Sequence, residues 1–210
     1  MRAEKADLRR EAGQRTRGGL LAAALDVLAQ RGQDGVTLRE ITDSAGVNVA
    51  SVSYHFGSLK ALCDAAIEQA LEQYLDAQIT ELGSLDSTAT LSELAAAFAR
   101  PMMRALAAGG QDLAVMRTVA RVGIDPPQGW ERLTGKFEQT RRDALRVLSA
   151  CLPEVDEQEL VFRTRCAASL LNWLALAPLG GELAAKGSGE IERLLVPVVA
   201  GALRGHTHAN

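Results

Sequence analysis

The chain has 210 residues, enough for one large domain or two small ones with proper cores. Hydrophobic residues make up 47% and aromatics only 4%, with Ala and Leu abundant and β-branched runs scarce, which argues against a sheet protein. The net charge of −3 excludes a uniformly basic polyanion binder, yet residues 1–62 carry nine Lys/Arg against seven Asp/Glu and the remainder fourteen against nineteen, so front and rear should meet different partners.

In chain order, residues 1–14 predict a flexible basic arm. It has no apolar core, so it is neither a signal peptide nor a membrane span. Residues 15–31 predict a helix with Leu21, Leu25 and Leu28 on one stripe, stopped by Gly32 to Gly35. Thr37 and Glu40 have capping-box spacing at the start of a second, short helix whose inner face is Leu38, Ile41 and Ala45. Gly46 allows a left-handed turn, and Asn48 caps a third helix over 49–55, with Val47, Val52 and Phe56 pointing inward. A long helix over about 58–82 is capped by Ser58, and Gly83 to Ser87 form a loop. Further helices are predicted at 90–108, 111–123, 127–151, 157–177 and 189–204. Gly109-Gly110, Asp125-Pro126-Pro127, Pro153 and the Gly-rich tract 180–189 separate them, and the C-terminal RGHTHAN should fray. Nothing alternates with period two, so the fold class is all-α. The longest apolar stretch is broken by Asn172 and Pro178, too short for a bilayer, so a soluble cytoplasmic protein is expected.

Short helix, glycine turn, short helix is the helix-turn-helix arrangement. The stretch AGVNVASVSYHF, residues 45–56, puts small side chains (Val49, Ala50, Ser51, Ser53) where a helix could approach base edges. Valine and alanine methyls can touch thymine methyls. Tyr54 and His55 at the far end can bond phosphates, while Phe56 anchors the helix. An ordinary helical hairpin within a core is the alternative that spacing alone leaves open.

The segment TLREITDSAGVNVASVSYHFGSLKAL resembles the DNA-binding segment of the TetR family of transcriptional regulators, and the likeness extends over residues 16–67. It runs from Thr16, opening the first helix, through Leu28, Gly32 and Thr37 to the Ala-Gly-Val turn and the Tyr-His-Phe ending. The resemblance implies an N-terminal three-helix helix-turn-helix domain (15–62) and a C-terminal helical domain (63–210) that dimerises and holds a small molecule. It implies that Thr37 and Arg39 meet phosphates and nearby bases and that Val49, Ala50 and Ser51, next to the capping Asn48, read bases. Tyr54 and His55 are implied to grip the backbone. Two departures stand out. Many members have tyrosine where this chain has Ser53, and lysine where it has Leu59; here the lysine is Lys60, rotated by about 100° on a helix. Lys60 either meets a phosphate from a new angle or is solvated. The arm (Arg2, Lys5, Arg9, Arg10, then Arg15 and Arg17) either contacts DNA or solubilises the chain.

In the rear, Ile191, Leu194, Leu195, Val198, Val199, Ala202 and Leu203 form one stripe on the last helix, with Pro197 opposite and expected to bend it. The preceding helix, Cys166 to Ala177, is apolar on nearly every side. By the resemblance these two long helices form a homodimer interface. A two-fold dimer implies a near-palindromic double-stranded DNA operator. Candidate ligand-binding residues are Met102, Met103, Leu106, Met116, Trp130, Phe137, Arg141, Asn172 and Trp173; Arg117 and Arg121 are further possible anchors for an anion. Core filling by the methionines and solvation of the arginines are the plainer alternatives. The ring-poor composition mildly favours an aliphatic or acyl ligand.

The three cysteines, Cys63, Cys151 and Cys166, lack metal-ligand spacing and are expected as buried free thiols. No nucleophile–base set, phosphate loop or metal cluster is apparent, and His206 and His208 belong to the frayed tail. No enzyme, cofactor or metal is expected. The expected function is a ligand-responsive repressor released from its operator by a small-molecule inducer. The alternative is a helical scaffold that has lost DNA binding.

Overall fold

Side chains that satisfy free amide donors set several of the helix starts. The computed structural model describes residues 2–124, 134–177, 181–183 and 185–205, with side chains from Asp7 onward except Thr134. Over these residues the chain is all-α: α1 (Arg2–Arg31), α2 (Leu38–Ala45), α3 (Ala50–Phe56), α4 (Leu59–Gly83), α5 (Leu91–Ala108), α6 (Gly110–Ile124), α7 (Thr134–Cys151), α8 (Glu157–Leu176) and α9 (Ser188–Arg204). Thr37 Oγ1 accepts the Glu40 amide at 3.3 Å and opens α2. Asn48 Oδ1 accepts the Ala50 amide at 2.9 Å ahead of α3, and Ser58 Oγ the Ala61 amide at 3.1 Å in the first turn of α4. Thr90 and Glu93 make a reciprocal capping box on α5, and Asp156 accepts the Glu159 amide at 3.0 Å on α8.

One element departs from expectation. Residues 1–14 are not a loose arm: α1 begins at Arg2 and runs unbroken to Arg31. Thr16 therefore opens nothing; it sits mid-helix with its hydroxyl donating to the Ala12 carbonyl at 3.0 Å. The same Arg, Ala, Glu and Lys residues that suggest a solvated arm are good helix formers, and no proline interrupts them. The loop expected at Gly83 starts one residue later, since α4 includes Gly83.

The chain divides into two compact units, Met1–Ala70 and Leu71–Asn210, so the division falls inside α4 rather than at residue 62. The first unit packs α1 against α2 and α3. Leu20, Leu21, Ala24, Leu25 and Leu28 of α1 join Ile41 of α2, Val52 of α3 and Leu62 of α4 among its buried residues. In the second unit α5 is the central helix. Leu94 through Ala99 are buried on every side, and α5 packs against α6, α7, α8 and α9. A helix apolar all round belongs in the middle of a bundle. At its end, Glu81 is a buried carboxylate held by both Arg100 and Arg104, which fastens the last turn of α4 to α5.

Candidate nucleic-acid interface and inner cavity

The turn between α2 and α3 depends on one glycine. Gly46 has φ 64°, its N–H donates to the Asp43 carbonyl at 3.2 Å, and the Val47 N–H reaches the Thr42 carbonyl at 3.0 Å. A side chain there would be strained in the left-handed region. The turn aims α3 so that Val52 is buried while Val49, Ala50, Ser53 and Tyr54 face solvent and Ser51 is half-buried.

The three rings at the end of α3 part ways. Tyr54 is 85% exposed. His55 is half-buried edge-on to Tyr54, with ring centroids 4.8 Å apart. A Cβ on Gly13 of α1 would lie 3.9 Å from His55 Cε1, so this ring rests beside α1. Phe56 is half-buried, with the Arg17 guanidinium 5.0 Å from its ring centroid. His55 and Phe56 thus tie α3 to α1, and Tyr54 alone stands clear.

The other residues expected at the interface are also placed. Thr37 and Arg39 are exposed at the start of α2, Arg39 lying 3.6 Å from Asp43. The Asn48 side-chain oxygen, Oδ1, is committed to the Ala50 amide. Lys60 Nζ is 2.8 Å from Asp64 Oδ2, an exposed pair one turn along α4. Arg31 pairs with Glu40 and links α1 to α2. Arg9, Arg10, Arg15 and Arg17 are exposed on α1, so the basic residues lie along a helix and not on an extended arm.

In the second unit, a cavity of about 620 Å³ lies among α4, α5, α6, α7 and α8. One face of α4 lines it with Leu71, Tyr74, Leu75 and Gln78, at spacing i, i+3, i+4, i+7. Phe137, Arg141 and Asn172, three of the candidate ligand residues, line it together with Phe98, Val119, Thr164 and Ser169. Arg141 is paired within its own helix: its Nε and Nη2 donate to Glu138 Oε2 at 3.1 and 2.5 Å. Asn172 fits because its neighbour is a glycine; a Cβ at Gly123 would run into the carboxamide. Burial pushes the Tyr74 phenol up to about 12.

Other expected ligand residues fall elsewhere. Met102, Met103 and Leu106 are core side chains that do not line this cavity. Met116 lines a smaller one, about 190 Å³, with Tyr74, Pro101 and Arg104. Trp173 is 56% exposed on the outer side of α8, and Arg117 Nε donates to the Ala175 carbonyl at 3.4 Å. Trp130, His206 and His208 lie outside the described residues. Gln78 and Tyr74 are lining residues that sequence reasoning does not pick out. A polar residue recurring within an apolar stripe of α4 is the available signal.

Two further expectations are corrected. The stripe on α9 is split: Ile191, Leu195, Val199 and Leu203 are buried, whereas Leu194 and Val198 face outward. Cys166 is exposed, on the same face of α8 as Phe162 and Trp173, so it is not a buried thiol. Cys63 is half-buried, and burial raises its thiol to about 11. Among the described residues there is no group of three His, Cys, Asp or Glu placed for a metal, and no helix is long and apolar enough to cross a membrane.

The comparisons with known proteins agree with this geometry. The profile of bacterial regulatory proteins of the tetR family matches residues 20–66, and that of the tetracyclin repressor-like C-terminal domain matches residues 96–202. No curated protein matches the chain. Solved structures with the same fold include a TetR-like transcriptional regulator from Rhodococcus sp. RHA1, at 15% identity and TM-score 0.67, covering 91% of this chain and 97% of that one. The TetR family regulator PfmR from Thermus thermophilus follows at 16% and 0.62, covering 90% and 96%. A transcriptional regulator from Rhodococcus sp. Rha1 is similar at 22% and 0.54, covering 90% and 96%. With its helix-turn-helix under one profile and about half its length under the other, the chain belongs to the TetR family of transcriptional regulators, which bind DNA through that motif and are not enzymes.

Proposed function

We propose that the protein is a cytoplasmic, ligand-responsive repressor that binds a near-palindromic operator as a homodimer and is released by a small molecule in the inner cavity. The observation that carries this reading is the pair of apolar rows facing water on the last two long helices: Phe162 (65% exposed), Cys166 and Trp173 on α8, Leu194 and Val198 (53% exposed) on α9. Large rings left in water on a well-packed bundle mark a surface meant to be covered. A second copy covers both rows at once by two-fold symmetry. The dimer then presents two α3 helices to successive major grooves, about 34–36 Å apart.

In that complex Val49, Ala50 and Ser51 meet base edges, with Ser53 beside them. Thr37, Arg39 and Tyr54 bond phosphates. The half-buried His55 contributes a phosphate contact through whichever ring nitrogen is free, and Lys60 does so only by leaving Asp64. A ligand in the cavity contacts α4 directly, and α4 also supplies residues to the first unit. The ligand releases DNA only by binding the DNA-free conformation more tightly. Titrating salt against binding to genomic fragments the protein itself captures is the test. The expected result is nanomolar, sequence-selective, salt-steep binding with mirrored protection of two half-sites. Protection of a single half-site by a monomer in sedimentation would overturn the proposal.

A further inference from the structure

The first half of α1 supplies nothing to the core. None of residues 7–19 is buried, and the first buried side chain of the helix is Leu20. These residues stay helical because they continue a helix that is anchored from Leu20 onward. Leu8, 59% exposed, is the one large apolar side chain among them.

Their charges are sorted around the helix. Gly13 marks the side of α1 turned to α3, because a Cβ there would lie 3.9 Å from His55 Cε1. Arg17 is on that side too, with its guanidinium 5.0 Å from the Phe56 ring centroid. With a turn every 3.6 residues, Arg9, Arg10 and Arg17 lie within about 60° of Gly13 around the axis. Asp7, Glu11 and Arg15 lie about 120° to 160° away. The side turned to the tip of α3 is therefore basic, and the carboxylates point off the other side.

That tip belongs to the DNA-binding motif. Tyr54 stands 85% exposed there, with His55 against it. Arg9 lies one turn beyond Gly13, about 6 Å along the axis, so the basic side of α1 carries the surface of Tyr54 and His55 past the end of α3. Duplex DNA presents a phosphate charge about every 1.7 Å of its axis, and exposed guanidinium groups beside an established DNA surface match it. An anionic membrane is the poorer fit, since a helix lying on lipid needs an apolar face opposite its basic one. Here that face holds Asp7 and Glu11.

We infer that the N-terminal half of α1 is a second DNA contact, in which Arg9 and Arg10 bond phosphates flanking those met by α3, while Arg15 on the opposite side takes no part. The inference rests on DNA binding by the helix-turn-helix and needs neither the dimer nor the inducer.

The test is fluorescence anisotropy of the full-length protein on a duplex that the unaltered protein captures from genomic DNA, titrated with KCl from about 50 to 200 mM. Arg9→Gln, Arg10→Gln and Arg15→Gln each remove one positive charge from an exposed site on one helix. Arg9→Gln and Arg10→Gln should each lower affinity about threefold to tenfold, on every sequence alike, and flatten the slope of log K against log salt by about 0.9. Arg15→Gln should leave affinity and slope unchanged. Arg9→Lys with Arg10→Lys should keep the slope, which a merely helix-supporting role for the arginines would not require. In hydroxyl-radical footprints, Arg9→Gln with Arg10→Gln should lose only the outermost protected sugars. Equal effects of all three glutamine variants, no effect of the first two, or a footprint of unaltered length would each overturn the inference while leaving the helix-turn-helix reading intact. Absence of DNA binding by the unaltered protein would overturn both.

Discussion

α3 and α8 both leave apolar side chains in water, and the contrast between them separates two kinds of exposed surface. At the start of α3 the exposed apolar groups are small, the N-cap Val49 and then Ala50, flanked by Ser53 and the single exposed ring of Tyr54. Such a face lets a backbone come close to something grooved and polar. On α8 the exposed groups are large, Phe162 and Trp173, set four and seven residues from Cys166 along one side. That face gains free energy only when another apolar surface removes it from water. Exposure by itself is uninformative; side-chain size and the polarity of the neighbours say what each surface meets.

The largest expected effect breaks the comparison on the α8 side. Phe162→Glu with Trp173→Glu should yield folded monomers by sedimentation velocity. It should lower operator affinity at least about 100-fold, because the second half-site is no longer tethered to the first. Dimers that persist with full affinity would move the interface elsewhere. A core change serves as the control for both faces. Leu106→Ala, at 2% exposure in the last turn of α5, should cost about 2–5 kcal/mol in denaturant unfolding while leaving base preference untouched.

Smaller effects sharpen the α3 side. Val49→Ala should shift preference at one base pair by about fivefold to tenfold in a competition assay, whereas Tyr54→Phe should lower affinity severalfold on every sequence alike. The reverse pattern would exchange the two roles. The smallest effect is a pH dependence. Cys63 and Tyr74 have folded values near 11 and 12 against ordinary values of 9.0 and 10.0. Each folded state therefore holds its proton more tightly than the unfolded chain. The stabilisation is complete below about pH 9 and is lost as pH rises through 9 to 12. Urea midpoints should be flat from pH 7 to 8.5 and fall above pH 9, with Cys63→Ala removing the earlier part of the fall.

Much of the first unit is legible as a string of residues because its signals are local. Thr37, Asn48 and Ser58 announce helix starts through hydrogen bonds within three residues, and Gly46 announces a turn through a backbone angle. The helix-turn-helix, with its small exposed face, is therefore visible before any packing is known. The N-terminal arm is illegible for the same reason: a charged segment without an apolar stripe carries no local sign of whether it continues a helix. The cavity is legible in part. Phe137, Arg141 and Asn172 line it, but Met102 and Met103 fill the core and Trp173 faces outward, since a side chain's direction depends on which helices surround it.

Residue order alone was enough to set the all-helical class and the position of the helix-turn-helix, because caps, turns and periodicity act over a few residues; the family followed from the resemblance of that segment to known regulators. Packing was needed to settle which face of α4 lines a cavity and that the buried Gln78 amide donates to the Phe98 carbonyl. It was also needed to lean His55 on α1 while Tyr54 stands free, and to divide α9 into a buried and an exposed row. Those outcomes arise from side chains far apart in the chain competing for the same space. No short-range rule encodes the result of that competition.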